Sequence, residues 1–451
     1  MPETAAIGRA ALPDGRATVK VCVLGLWHLG TVTAACLASG GHDVIGLDFD
    51  QALVGGLDAG KPPLFEPGLD DLVRAGLASS QLHFTTDVAA AANHADIVWI
   101  AYDTPVDDDD RADVDYVIER AARLFPHLRD EALVLISSQM PVGTTRQLEQ
   151  TFASASRGRT VGFGYSPENL RLGKAIDVFT HPDRVVVGVR SPADREKVAT
   201  LFRPFTDRIE WMSVESAEMT KHALNAFLAT SVTFINEIAA LCEQVGADAT
   251  EVERGLKSEA RIGPKAYLSP GGAFAGGTLA RDVVFLSQLG QARDVATHLL
   301  SSIKPSNDAH RQWAQQRLEQ LLDGVSGKTV AVWGLTYKPG TDTLRRSSAI
   351  ELCHWLIDRG ATVRAHDPAV RSLPIDLVGR VGLAGNALSA VDGASALVIS
   401  TPWPEYRQVA AGEVAARMVR HLVLDANRFT GETLGSTAGI EYVSVGRSVC
   451  R

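Results

Sequence analysis

Three features are missing from this sequence: a long uninterrupted apolar run, a block of basic residues and a pair of closely spaced cysteines. No apolar run approaches the roughly 18 residues that cross a bilayer, which argues against a membrane span. The opening stretch, Met1 to about Ala17, carries proline, glycine and mixed charges without a continuous apolar core. It reads as a disordered tail (residues 1–17) and not as a signal peptide. The net charge is -9 with no basic cluster, so nucleic acid and anionic membranes are poor partners. A small anionic substrate stays open, because a few local cations hold a phosphate. The five cysteines (Cys22, Cys36, Cys242, Cys353 and Cys450) are scattered and odd in number, with no CxxC pair, as fits a reducing cytoplasm. The acidic run Asp107–Asp110 has no accompanying His or Cys, so it reads as a solvated loop and no metal site is expected.

What is present is ordinary for a globular chain: 45% hydrophobic and 22% charged residues. A length of 451 residues exceeds one common core and implies two or three domains. Two segments share one grammar. Thr18–Gly25 is a β-branched apolar run closed by glycine; a helical stretch follows to Ala38, then Gly40-Gly41 and a second strand, Asp43–Asp48. Lys328–Gly334 is likewise followed by a helix around Ser348–Arg359 and by the strand Ala361–Asp367. Further strands read at Ile97–Ala101, Leu133–Ser137 and Val185–Val189, and at Ala396–Ser400 and His421–Asp425. They are apolar without alternation, as parallel strands covered on both faces are. The expected fold class is α/β, with two Rossmann-like doubly wound domains (18–212 and 301–451) joined by a central helical region with a long helix (213–300). Within that region Met219, Ala223, Phe227, Thr230, Phe234, Ile238 and Leu241 recur at helical spacing, and Val232, Ile235 and Ala239 mark another face. A long helix apolar on several sides should be buried. It links the domains and offers a homodimer interface; the alternative is a core helix of one domain.

Gly25-Leu-Trp-His-Leu-Gly30 follows a strand directly and opens a helix. The dinucleotide fingerprint places glycines at its first, third and sixth positions, for the turn, the approach of pyrophosphate and close helix packing. Gly25 and Gly30 fill the first and last; Trp27 fills the third, so its side chain must turn away. His28 and Leu29 complete the loop. Asp48 closes the next strand at the spacing of a carboxylate that binds adenosine ribose hydroxyls, which favours NAD over NADP. The alternative is a βαβ turn that binds nothing.

Several stretches together resemble the UDP-glucose/GDP-mannose dehydrogenase family, in the family's order over roughly residues 20–430. They are the Gly25–Gly30 loop with Thr33–Ala38, Phe65-Glu-Pro-Gly-Leu69, Pro141-Val-Gly-Thr144, Ser166-Pro-Glu-Asn-Leu170 and Pro182-Asp-Arg184. Further on come Ser216–Lys221 with Asn225–Leu228, Phe234–Glu237, Arg261-Ile-Gly263, Gly276-Gly277 with Asp282, and Lys338-Pro with Thr341-Asp342 and Arg345. The resemblance implies oxidation of a sugar alcohol to a carboxylate with two NAD. It also implies an N-terminal NAD domain, a central helical dimer region and a C-terminal domain for a nucleotide sugar. Lys221 and Asn225 match residues that stabilise the developing oxyanion, a role suited to an ammonium and an amide spaced i, i+4. Glu168 matches a residue implicated in hydrolysis, and Asp282 one that orders the catalytic water or base. Arg261 matches an arginine that reaches the substrate nucleotide, often across the dimer. Lys338 falls near the diphosphate and Arg345 near the cofactor. The resemblance further assigns Thr104, Pro105 and Gln139 to the cofactor, and Leu170, Phe274 and Gly276 to the substrate.

Departures cluster at the chemistry. The family carries a cysteine just after its paired glycines. Counting back from Asp282 puts Thr278 at that position; counting forward from Gly276-Gly277 puts Leu279 there. Neither is a thiol. Gln139 stands where a threonine is usual, Asp103 where a glycine is common and Leu172 where a glutamate is usual. A thiolate would add to the intermediate aldehyde and carry it through a second oxidation. Without it, three readings stand: a two-electron enzyme that releases an aldehyde or ketone, a second oxidation of a hydrated aldehyde with Glu168 or Asp282 as base, or a non-oxidising nucleotide-sugar binder or epimerase-like enzyme on the same fold.

Overall fold

The computed structural model describes residues 17–105, 107, 112–156, 158–275 and 277–448. Most of the 1–17 tail, Asp108–Asp110, Gly276 and Cys450 lie outside the described residues. The chain divides into two units, Met1–Ala223 and Leu224–Arg451.

The first unit holds an eight-stranded sheet. Its strands are β1 (Lys20–Leu24), β2 (Asp43–Leu47), β3 (Leu82–Thr85), β4 (Ile97–Ile100), β5 (Leu133–Ile136), β6 (Gly162–Tyr165), β7 (Val185–Val189) and β8 (Ile209–Met212), in the order β3-β2-β1-β4-β5-β6-β7-β8. The β6–β7 pair is antiparallel and the other pairs are parallel. The second unit holds a parallel six-stranded sheet: β9 (Thr329–Trp333), β10 (Thr362–His366), β11 (Val381–Leu383), β12 (Ala396–Ile399), β13 (Leu422–Asp425) and β14 (Glu441–Val443), in the order β11-β10-β9-β12-β13-β14.

Unbroken apolar strands have the predicted cause. Alternate residues of β1 enter different cores: Val21 and Val23 pack on one face of the sheet, Cys22 and Leu24 on the other. In β9, Val330 and Val332 divide from Ala331 and Trp333 in the same way. With helices on both faces no polar position survives, so period two vanishes. The doubly wound α/β reading is met in both units. Sequence reading passes over β3, β8, β11 and β14, which lie at sheet edges and carry exposed or half-buried residues, and over the internal β6, whose two glycines weaken its strand signal.

Helix α1 (His28–Ser39) is buried continuously from Leu29 to Ala38. Its close seat on β1 depends on Gly30, where a Cβ would lie 1.6 Å from the Gly25 carbonyl oxygen. Gly25 has φ +91 and a Cβ there would meet the Tyr102 ring at 2.7 Å.

Val214–Val245 forms one helix of 32 residues. It corrects the expectation of full burial: Phe227, Phe234 and Leu241 are 70%, 46% and 62% exposed, while Ala229, Ile235 and Ala239 are wholly buried. A single chain covers only one face, and the open residues repeat every seven positions. By length and composition this is the one helix among the described residues long and apolar enough to cross a membrane. It does so without the unbroken run that sequence reading sought, because polar residues interrupt it. Asn225 and Asn236 are buried and bonded to neighbouring segments of the second unit, as in a helix packed in protein.

Replacing Gly30 by alanine is expected to lower the stability of the first unit by about 3 kcal/mol, because backbone and not a flexible side chain must yield. Chemical denaturation of the variant against the wild type checks this; an unchanged midpoint would refute the packing argument.

Candidate functional site

In the first unit the dinucleotide loop is built as the fingerprint requires. The Gly25 N–H bonds Leu47 O at 2.9 Å, and the Leu26 N–H donates to Asp48 Oδ2 at 2.7 Å. Asp48 is half-buried at the end of β2 and its other oxygen accepts from Asp50 N at 3.1 Å. Trp27 precedes α1 and is 50% exposed, so the bulky third residue is turned to solvent. The first turn of a long buried helix, two close-packing glycines and an open strand-end carboxylate fit the pyrophosphate and ribose of NAD. One group opposes it: the Leu29 N–H, in that first turn, donates to Asp103 Oδ2 at 3.4 Å. A carboxylate therefore stands where helix geometry favours phosphate.

The second unit repeats the motif with the opposite outcome. Asp367, just after β10, is buried and its Oδ2 accepts from Leu335 N (2.7 Å), Thr336 N (3.0 Å), Thr336 Oγ1 (3.1 Å) and Trp403 Nε1 (3.0 Å). Four donors of its own unit converge on one oxygen of Asp367, whereas each oxygen of Asp48 accepts one backbone N–H. Sequence reading paired the two strands but not this contrast.

Thr104 and Gln139 adjoin each other: the Thr104 hydroxyl donates to Gln139 O at 2.9 Å, and both residues are buried. Pro105 is exposed and its carbonyl accepts from Asp113 N at 2.8 Å. The following Pro141–Thr144 segment is held by Glu218, which accepts from Gly143 N (2.7 Å), Thr145 N (2.9 Å) and Thr145 Oγ1 (2.6 Å). Lys221, one turn further along the helix, is buried; its ammonium donates to Glu168 O at 2.5 Å and lies 3.5 Å from Glu168 Oε1. Glu168 Oε2 accepts from Leu170 N at 2.8 Å, and the Leu170 side chain packs on the core.

In the second unit the Asn225 amide donates to Asp282, and both are buried. Asp282 belongs to the helix Thr278–Ala292, whose first residue, Thr278, is exposed; Leu279 instead packs with Phe274 in an apolar cluster around Ala226, Ala229 and Val283. The preceding loop is clamped by side chains that sequence reading missed. Asn307 accepts from Phe274 N (3.0 Å) and donates to Phe274 O (2.9 Å), mimicking a strand partner. Asn236 and Asn427 accept from Gly271 N (3.0 Å) and Gly272 N (2.9 Å). Burial pushes His310 below the usual imidazole range, and its neutral Nε2–H donates to Gly271 O at 2.8 Å. A small cavity of about 100 Å³ lies beside this loop, lined by Gly272, Phe274, Trp313, Ser400 and Asn427 among others. Gly276 lies outside the described residues.

Other assigned residues stand apart. Arg261 is almost fully exposed and pairs with Glu259 at 3.0 Å, two residues away. Lys338 is half-buried and Arg345 exposed, both between β9 and the helix Ser348–Asp358. A wider cavity of about 510 Å³ includes Lys304, Arg311 and Arg359 in its lining. Each cation already faces a carboxylate: Asp308 (2.6 Å), Glu351 and Glu319 (3.2 Å). Among the described residues no group of three or more His, Cys, Asp or Glu could hold a metal ion. None of the described cysteines falls in the loop before Thr278. Cys22, Cys36 and Cys353 are buried, and burial pushes their thiols up to about 12, which makes them poor nucleophiles at neutral pH.

Comparison with known proteins agrees over nearly the whole chain. Residues 19–206 match the NAD binding domain of the UDP-glucose/GDP-mannose dehydrogenase family, 215–309 its central domain and 331–432 its UDP binding domain. The chain belongs to this family. A UDP-glucose 6-dehydrogenase of Pseudomonas aeruginosa is 33% identical over 95% of this chain and 98% of its own. UDP-glucose 6-dehydrogenase TuaD of Bacillus subtilis is 33% identical over 96% and 94%. The structure of a UDP-glucose dehydrogenase from Pyrobaculum islandicum superposes with a TM-score of 0.86 at 29% identity, covering 97% of this chain and 100% of that one. The protein is thus an NAD-dependent oxidoreductase of the nucleotide-sugar dehydrogenase family. NAD, when bound, supplies the hydride acceptor; Gly25, His28, Leu29, Gly30 and Asp48 are the residues suited to hold it.

Asp103→Asn is expected to tighten NAD binding by about three- to tenfold, because it removes a competing charge from the first turn of α1. Equilibrium titration measures it, and an unchanged or weaker affinity would show that Asp103 does not compete.

Proposed function

We propose that this protein oxidises an alcohol of a nucleotide-activated sugar by two electrons and releases the carbonyl product. The observation that carries the proposal is the start of the helix Thr278–Ala292 and the loop that leads into it. It offers an exposed threonine hydroxyl and a leucine packed in an apolar cluster, but no thiol. A threonine hydroxyl is far too weakly acidic to add to an aldehyde at neutral pH without a base to activate it.

The remaining residues suit the first oxidation. Bound NAD would accept a hydride from the carbinol carbon, and Asp282 would take the alcohol proton. Negative charge develops on the sugar oxygen, where the Lys221 ammonium and the Asn225 amide, one turn apart on a single helix, supply donors. The ammonium has three N–H groups, and two are directed at Glu168, so a third serves the substrate. Glu168 holds Lys221 in place. Arg261, Lys338 and the clamped loop at Phe274 and Gly276 are assigned to the nucleotide sugar, Arg345 to the cofactor side, and Thr104, Pro105 and Gln139 to the nicotinamide end. In this reading residues 18–212 bind NAD, 213–300 form the helical dimer region and 301–451 bind the nucleotide sugar in the cytoplasm.

The stoichiometry of NADH decides the reading. With UDP-glucose as the first probe, followed by other UDP- and GDP-sugars, one NADH per sugar consumed is expected, with an aldehyde or ketone that hydroxylamine traps. Two NADH per sugar would overturn it in favour of a non-covalent second oxidation. No NADH from any nucleotide sugar would favour a non-oxidising role.

The open stripe of Phe227, Phe234 and Leu241 is assigned to a second copy of the chain, since a contiguous exposed apolar face on a helix is what an isologous interface covers. Sedimentation of the wild type should give a dimer, and the double variant Phe227→Glu/Phe234→Glu a monomer. A wild-type monomer, or a variant that stays dimeric, would remove the helix from this role.

A further inference from the structure

The motif Phe65-Glu-Pro-Gly-Leu69 has no part in the chemistry described so far, yet its glutamate is among the most connected side chains of the first unit. Glu66 is 2% exposed. Its Oε2 meets His28 Nε2 at 3.0 Å and accepts from Gly173 N at 2.8 Å; its Oε1 accepts from Ala175 N at 2.8 Å. His28 is the first residue of α1, in the turn whose geometry suits the phosphates of a dinucleotide. Gly173 and Ala175 end the segment that begins with Ser166-Pro-Glu168, whose carbonyl and carboxylate receive Lys221. One buried carboxylate therefore joins the dinucleotide turn to the loop that seats the proposed oxyanion donor.

We propose that Glu66 is a positioning residue for hydride transfer, and that with His28 it couples engagement of the dinucleotide to the placement of Glu168 and Lys221. This rests on the reading of Lys221 and Glu168 given above. The physical case is one of satisfaction. A buried carboxylate with three donors is held firmly, and removing one donor changes the geometry of the others more cheaply than it empties the site. A shift of the first turn of α1 on binding a dinucleotide is relayed by His28 to the carboxylate, and from there to two backbone N–H groups five and seven residues beyond Glu168. A displacement of about 1 Å there is enough to cost on the order of 100-fold in rate.

The alternative is that Glu66 merely caps the turn at Gly173–Ala175, with His28 an incidental neighbour. His28→Ala separates the two, because it leaves both backbone bonds to Glu66 intact and cuts only the link to α1. The experiment measures amide hydrogen exchange over residues 170–176 in the full chain, with and without NAD. It also measures the affinities for NAD and for UDP-glucose and the rate of NADH formation, for wild type, His28→Ala and Glu66→Gln. In the wild type, NAD is expected to slow exchange in 170–176 by about tenfold. In His28→Ala the exchange without NAD stays as in the wild type, and at NAD concentrations that saturate the variant the NAD-induced slowing disappears while kcat falls about tenfold. In Glu66→Gln exchange without NAD rises as well. If His28→Ala keeps the NAD-induced slowing, or if kcat is unchanged in both variants, the coupling is refuted. The exchange arm does not require turnover, so a chain that makes no NADH from UDP-glucose would fail the reaction reading and still report on the coupling.

Discussion

The helix Val214–Val245 is the constraint on which the chemistry depends, because its buried polar side chains must find partners and the partners are loops. In its first turns Glu218 takes three donors from the Gly143–Thr145 turn, Lys221 reaches Glu168, and His222 lies 2.9 Å from Met140 O. Further along, Asn225 donates to Asp282 and Asn236 accepts from Gly271 N. An unpaired buried amide or carboxylate costs roughly 1–3 kcal/mol, so each of these bonds resists a loop that wanders. Within each unit the helix thereby sets the place of the loops bonded to it. That matters because catalytic groups misplaced by about 1 Å lose much of their effect.

The same helix shows what was legible in the sequence and what was not. Its apolar stripes follow from periodicity, which also places Lys221 and Asn225, the pair that the family resemblance picks out, one turn apart on one face. So do the central strands, since residues buried on both faces have no choice but to be apolar. Edge strands such as β3 and β8 were not legible, because one side of the strand meets solvent and the composition blurs. The burial of the helix was misread for a related reason. Period 3.6 records which faces are apolar, and not whether the cover comes from the same chain. Among site residues, Gly25, Gly30 and Asp48 can be proposed from local pattern, because the turn, the helix start and the end of the next strand are all visible in one short βαβ stretch. Asn307, Asn427 and Glu66 were not, because their roles arise from contacts across 33, 155 and 107 positions, and an asparagine or glutamate gives no local sign of a backbone partner far away.

The two Rossmann-like sheets illustrate how like folds are given unlike tasks. Each ends its second strand with an aspartate, Asp48 and Asp367, facing the turn after its first strand. In the first unit the turn sends one N–H to the carboxylate, and Asp50 sends one more. In the second, two backbone N–H groups, a hydroxyl and an indole converge on a single oxygen, and Ala369 N takes the other at 2.8 Å. A ribose would have to displace donors that the fold itself supplies at no loss of translational entropy. The second aspartate is therefore a structural pin. A match to the strand–turn–helix–strand pattern cannot distinguish the two; the count of donors on the carboxylate does.

In the proposed two-electron reading, the absence of a thiol has a consequence for how the rest of the site would work. In a covalent second oxidation the aldehyde never leaves, because a bond to sulfur holds it. Without that bond its retention rests on the nucleotide alone, whose contacts in this reading fall to the second unit. The clamp on Gly271–Phe274 by three asparagines and a neutral histidine is then a means of binding and not of catalysis. A loop fixed before the substrate arrives costs little entropy to engage, and the same rigidity does nothing to hold a sugar carbonyl once the hydride has gone. In the same reading, donors at Lys221 and Asn225 would favour an oxyanion over a neutral carbonyl, so the grip would weaken as the oxidation finishes.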